Sequence, residues 1–240
     1  MSDRSREPDR PWHRAVVLAG GEPPPPGSLD RVLAAVRDDD PAGRPLVVAA
    51  DSGLDLGLAL GLPIDLVVGD LDSASPAGQA AARRAGTAFE VHPVAKDATD
   101  LELALLAARD RGARHVTVIG GGGGRHDHLI ANALVLGVAD LDEVDVEALV
   151  GTARITVVRA EAALHGRPGS LCSLIPVGGV ARGVRTEGLR YALDDDDLRP
   201  GSTRGISNEL LGTVARVTLA HGVLLAVQPD ALSPTPAEEA

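Results

Sequence analysis

Between residues 15 and 138 the chain alternates short, unbroken apolar runs with segments of helical spacing. The runs are Ala15–Ala19, Leu46–Ala50, Ile64–Val68, Ala88–Val91 and His115–Ile119. Each is continuously apolar or β-branched instead of alternating with polar residues, as a strand covered on both faces must be. Helical stretches near 28–38, 53–60, 76–85 and 99–111 separate them. The stretch at 99–111 is the best marked. Thr99-Asp100-Leu101-Glu102 has capping-box spacing, Leu101, Ala104, Leu105 and Ala108 form one apolar stripe, and Gly112 follows as a stop. This alternation predicts a three-layer α/β unit built on a mostly parallel sheet over residues 15–145.

The pattern then changes. Arg154–Arg159, Leu171–Ile175, Val180–Arg185, Val214–Leu219 and Val223–Val227 are short β-rich runs broken by Gly and Pro. They predict a smaller all-β domain over residues 150–229. Ala220-His221-Gly222 between the last two runs reads as the turn of a β-hairpin. The acidic stretch Asp140–Glu147 reads as a linker or a solvated edge. The charged segment 1–14 lacks an apolar signal core and, like 230–240, is expected to be a disordered tail.

The acidic residues fall at matching places in the first half. Asp51 follows Leu46–Ala50. Asp70 and Asp72 follow Ile64–Val68 and Gly69. Asp97 and Asp100 stand at the start of the best-marked helix. In an open parallel sheet all of these share the carboxyl edge, where ligands bind. A lone aspartate there is a turn or cap residue. A cluster is costly, because unpaired carboxylates raise one another's pKa, and a bound cation removes the cost. Hard oxygen donors of this kind suit magnesium, which is held by one or two carboxylates together with substrate phosphates. Gly120–Gly124 follows the run His115–Ile119 and precedes Arg125-His126-Asp127-His128. Such a loop allows close backbone approach to a phosphate or serves as a flexible surface loop, and Arg125 is a candidate phosphate clamp. His126 and His128 lack the further soft ligands of a structural zinc site.

Composition excludes several classes of function. Only Trp12, Phe89 and Tyr191 are aromatic, so the core must be Val, Leu, Ile and Ala. A formal net charge of −11 disfavours binding to nucleic acid, which requires cationic side chains. No apolar run reaches the roughly 20 residues of a membrane span. A single cysteine, Cys172, rules out an intramolecular disulfide, and a cytoplasmic location is the simplest expectation.

Taken in order, these elements resemble the thiamine pyrophosphokinase (thiamine diphosphokinase) family of bacterial type. Ala50-Asp51-Ser52-Gly53 corresponds to its Ala-Asp-Gly-Gly element, with Ser52 in place of the first glycine. Gly69-Asp70-Leu71-Asp72-Ser73 corresponds to Gly-Asp-Leu-Asp-Ser. Lys96, Asp97, Thr99, Asp100 and Glu102 match a third element, and Gly123, Gly124, Arg125, Asp127, His128 and Asn132 a fourth. Gly188-Leu189-Arg190-Tyr191 and Ser207-Asn208-Glu209 match the thiamine-binding half, with Leu210 where an aromatic is common. The resemblance implies an α/β catalytic domain followed by a β-sandwich, and a homodimer with active sites between subunits. It implies transfer of a pyrophosphoryl group from ATP to thiamine, giving AMP. It further implies magnesium on Asp51, Asp70, Asp72 and Asp100, with catalysis by Asp70, Asp72 and Asp100. Nucleotide contacts are implied from Asp51, Ser73, Lys96, Asp97, Thr99, Gly123, Gly124, Arg125, Asp127 and His128, and thiamine contacts from Ser207, Asn208 and Glu209. A related kinase with another alcohol acceptor and a non-catalytic nucleotide- or thiamine-binding module are the alternatives.

Overall fold

The structure, a computed structural model, describes residues 12–37, 43–123 and 125–234. The expected tails before residue 12 and after residue 234, residue 38 of the first expected helix, and Gly124 lie outside them. Strands β1 (Arg14–Leu18), β2 (Leu46–Ala50), β3 (Leu66–Gly69), β4 (Ala88–Val91), β5 (His115–Ile119) and β6 (Asp145–Val150) pair in parallel in the order β4-β3-β2-β1-β5-β6. Helices α1 (Asp30–Arg37), α2 (Gly53–Ala59) and α3 (Pro76–Ala85) cover one face, burying Val36, Leu54 and Ala82 against Val16, Leu18, Val47 and Val67. Helices α4 (Asp100–Asp110) and α5 (His126–Val135) cover the other, burying Leu101, Leu105, Ala108 and Val135 against Val17, Val48, Val68 and Val118. Both faces of each central strand are therefore apolar, which accounts for the unbroken runs. Each fully buried Val or Leu contributes about 1.5–3 kcal/mol.

Strand β6 falls in the stretch expected to be a linker or solvated edge. It is instead an internal strand between β5 and the strand that follows it. Val146 and Ala148 face α4 and α5, whereas Glu147 faces away and accepts a hydrogen bond from Thr117 Oγ1 at 3.1 Å. Asp145 and Glu147, alternating with the buried Val146 and Ala148, disguised the strand.

The second half is all β. It comprises β7 (Ala153–Val158), β8 (Glu161–His165), β9 (Leu171–Glu187), β10 (Asp196–Leu198), β11 (Asn208–Glu209), β12 (Val214–Thr218) and β13 (His221–Gln228). Strand β7 pairs antiparallel with β6, so the hydrogen-bonded path continues from the parallel sheet into the β half. Two runs read separately in the sequence form the single strand β9, irregular at Gly178-Gly179. Its first leg pairs with β13 and its second with β12. The expected hairpin is therefore absent: β12 and β13 are consecutive, but each pairs with β9 and not with the other. The 17-residue length of β9 makes this possible, because one strand is long enough to serve two partners. Leu164, Cys172, Leu174, Val184, Val217 and Leu224 fill the layer between, as in a sandwich.

Candidate active site

The parallel strands reverse order between β1 and β5, since β2, β3 and β4 lie to one side of β1 and β5 and β6 to the other. Crevices form at such a reversal, outside the carboxyl ends of the strands. Here the loops after β1 and β5 run against each other. Gly121 N donates to Gly20 O at 2.6 Å, and Glu22 N to Gly122 O at 3.1 Å. The approach requires glycine at position 21: φ is +101°, and a Cβ would stand 2.0 Å from Gly122 O. Asn132 Nδ2 of α5 donates to Gly121 O at 3.2 Å and ties the glycine loop to the helix. A cavity of about 440 Å³ opens beside these loops, lined by Gly20, Gly21, Gly121–Gly123, Arg125, His128 and Asn132 on one side. Asp51, Ser52, Asp70, Ser73, Lys96, Thr99 and Asp100 line the other.

Three carboxylates from separate loops converge there. Oxygens of Asp51, Asp70 and Asp100 lie within 4.8 Å of one another. Asp51 follows β2 at φ 44°, and Asp70 follows β3 through Gly69. Asp100 opens α4, whose first turn is capped by Thr99 Oγ1 accepting from Glu102 N at 3.2 Å. Gly69 lets the three meet, because a Cβ at that position would sit 3.0 Å from Asp100 Oδ1 and 3.2 Å from Asp51 Cβ. Lys96 Nζ lies 2.8 Å from both Asp70 Oδ2 and Asp100 Oδ1. The contact to Asp70 is an aligned hydrogen bond; that to Asp100 is an ion pair off hydrogen-bond alignment. Ser73 Oγ donates to Asp51 Oδ2, whereas Asp51 Oδ1 is buried with no hydrogen-bond partner among the described residues.

The electrostatics follow from these contacts. Burial pushes the Asp51 carboxyl above its ordinary value, the Ser73 hydrogen bond opposes this, and the charges of Asp100, Asp70 and Asp72 add to the rise. Asp70 is held below its ordinary value by Lys96 and by the main-chain N–H of Asp72. For Lys96 burial is the largest single influence and acts downward, but Asp100 and Asp70 together outweigh it and raise the ammonium. Three carboxylates against one ammonium leave two formal negative charges, the complement of a divalent cation.

The other expected site residues are placed as follows. Asp72 is exposed and does not line the cavity; Leu71 adopts φ 68°, which turns the chain so that Asp72 offers Asp70 its N–H at 3.2 Å. Asp97 is exposed and outside the cavity lining. Asp127, also outside it, pairs with the exposed Arg125 at 2.6 Å, which holds the carboxyl down to about 2. Ser207, Asn208 and Glu209 lie in the β half, and among the described residues the cavity lining ends at Asn132. Asn208 is 2% exposed. It accepts from Tyr191 N at 2.9 Å and donates to Tyr191 O at 2.8 Å. Glu209 pairs with Arg190 at 2.8 Å. Sequence reasoning missed Gly20-Gly21 as cavity residues. The same signal that marked Gly69 and Gly120, a glycine directly after an apolar run, was present there.

Comparison with known proteins agrees with this geometry. Residues 42–147 match the family model described as "Thiamin pyrophosphokinase, catalytic domain", and residues 154–224 match "Thiamin pyrophosphokinase, vitamin B1 binding domain". Thiamine pyrophosphokinase of Bacillus subtilis (strain 168) is 26% identical over 224 residues, spanning 88% of this chain and 96% of that protein. The crystal structure of the thiamine pyrophosphokinase from Bacillus subtilis superposes with a TM-score of 0.73 at 25% identity, covering 91% of this chain and all of that one. That of the thiamin pyrophosphokinase from Geobacillus thermodenitrificans shares the fold, with a TM-score of 0.72 at 24% identity over 92% of this chain and 99% of that one. The chain belongs to the thiamine pyrophosphokinase family.

Proposed function

We propose that the chain forms thiamine diphosphate and AMP from thiamine and ATP, with magnesium at the acidic cluster. The observation that carries this reading is the meeting of Asp51, Asp70 and Asp100 beside a glycine-lined cavity at the reversal point of the sheet. The donor set fits magnesium: all are hard carboxylate oxygens, one is buried without a partner, and the cluster is formally short of two positive charges. Asp51, Asp70 and Asp100 would hold the ion, and the exposed Asp72, outside the cavity lining, would add its charge from nearby. When bound, the metal neutralises charge on the phosphate oxygens.

In pyrophosphoryl transfer the primary hydroxyl of thiamine attacks the β-phosphorus of ATP, and AMP leaves. The protein has little covalent chemistry to perform and must align the groups and balance charge. Lys96 fixes Asp70 and Asp100 relative to each other through two 2.8 Å contacts. The main chain of Gly21 and Gly121–Gly123 lets the phosphate chain approach closely, and exposed Arg125, which lines the cavity and pairs with Asp127, would exchange that partner for the phosphates.

Thiamine is assigned to Ser207 and Glu209 of a second copy, with the buried Asn208 fixing that segment through the Tyr191 main chain. The described residues that line the cavity of one chain end at Asn132, which supports a site completed by the β half of another copy. A homodimer sharing its sites between subunits supplies it. We assign the protein to the cytoplasm, where its small substrates are handled; among the described residues no helix is long and apolar enough to cross a membrane. Incubation with thiamine, ATP and magnesium, followed by chromatography of the products, tests the reading. Thiamine diphosphate and AMP in equal amounts are expected, and no thiamine-derived product would refute it.

A further inference from the structure

We propose that the Ser52 hydroxyl, next to Asp51 of the acidic cluster, is an additional ligand for the β- or γ-phosphate of the nucleotide, which AMP lacks. The proposal rests on the reading of the cavity as a nucleotide site. Three helices begin with a hydroxyl residue at the cap position, and two of those hydroxyls have local work. Ser75 Oγ accepts from Gly78 N at 2.9 Å, and Thr99 Oγ1 from Glu102 N at 3.2 Å. Ser52 stands at the same position before α2 but has φ −61° and ψ −11° and makes no cap hydrogen bond. Its Oγ has no hydrogen bond among the described residues, and the residue lines the cavity.

The surroundings give that hydroxyl one direction. On one side Asp51 has its N–H donated to Val68 O at 2.9 Å and one carboxylate oxygen taken by Ser73, and its other oxygen is the one left for a cation. On the other, Gly53 can bear no side chain, because a Cβ would stand 1.9 Å from Leu18 O. After Asp51, position 52 is where this turn presents a side chain, and its Oγ lies against Gly20. A Cβ on Gly20 would fall 2.1 Å from Ser52 Oγ. Glycine at position 20 leaves the hydroxyl its room, and both residues line the cavity. The chemistry is also suitable. A cation here would pair with Asp51 and compete for the carboxylates. A hydroxyl donates to an anionic oxygen without adding charge.

The test is Ser52→Ala, with calorimetric titration of magnesium-ATP and of AMP and thermal unfolding as a control of the fold. Loss of a hydrogen bond to a charged oxygen predicts about tenfold weaker ATP binding, with AMP affinity and unfolding temperature unchanged. ATP affinity equal to that of the parent, or an equal loss for AMP, overturns the assignment of Ser52. Failure of the parent protein to bind ATP would instead overturn the reading of the cavity, so the two outcomes are separable.

Discussion

Lys96 Nζ lies 2.8 Å from Asp70 Oδ2, and both side chains are largely withdrawn from solvent, at 14% and 10% exposure. The pair lowers the pKa of Asp70. Its contribution to stability is therefore present above the ordinary aspartate value and is lost as pH falls through the folded value. The same pair favours the ionised form of Asp70, which a metal ligand requires.

Asp70→Asn should abolish turnover, by about a hundredfold or more, with the fold intact. The amide keeps the shape and the contact to Asp72 N but not the charge. Asp72→Asn, at an exposed rim position, should lower turnover and raise the magnesium requirement. Steady-state rates against magnesium concentration separate the two. Near-parent activity of both variants at saturating magnesium would contradict the metal assignment.

Asp51→Asn should stabilise the metal-free protein. The Asp51 pKa is raised in the fold, so its ionised form costs stability at pH above the folded value. That cost disappears below the ordinary value of 3.8. Thermal unfolding in a chelator should show the variant melting about a few degrees higher at neutral pH, with the gain vanishing in acid. Added magnesium should raise the melting temperature of the parent and not of the variant. A variant less stable than the parent at neutral pH would contradict this account of Asp51.

Much of this architecture is legible in the sequence, and its gaps have physical causes. Strands such as Leu46–Ala50 and His115–Ile119 are apolar throughout because helices cover both sides. Thr99 announces α4 because its hydroxyl does the capping. Strand β6 is hidden because acidic Asp145 and Glu147 alternate with its buried Val146 and Ala148, Glu147 making a polar contact to Thr117. The pairing of β12 and β13 is not written locally, since β9 intervenes between them. An apolar run ending in acid places Asp51 and Asp70 at the sheet edge. Asp72, two residues on, is turned out by the positive φ of Leu71, which spacing alone does not reveal.

Asn208→Ala and Ser207→Ala should behave differently. Asn208 is buried, with both ends of its amide engaged by the Tyr191 main chain. Its loss leaves those groups unpaired and should cost about 1–3 kcal/mol in denaturant unfolding. Ser207 is exposed at φ 57°, so its loss should leave stability unchanged and weaken thiamine binding more than ATP binding. Equal loss of both ligands in Ser207→Ala would contradict the division of labour between the halves.

Mixing chains tests the shared site. An Asp70→Asn chain and a Ser207→Ala chain each damage a different half. A mixed dimer then holds one intact and one doubly damaged site, and its activity should approach about half that of the parent. Purified mixed dimers no more active than the single variants would show that each site is built from one chain.

The most direct measurement of the central claim follows the β-phosphate. With ATP labelled at the β-phosphorus, thiamine and magnesium, the account predicts label in thiamine diphosphate and none in AMP, with no transfer by Asp70→Asn. Label retained in ADP, with only a single phosphate passed to thiamine, or transfer unaffected by loss of the Asp70 charge, would contradict it.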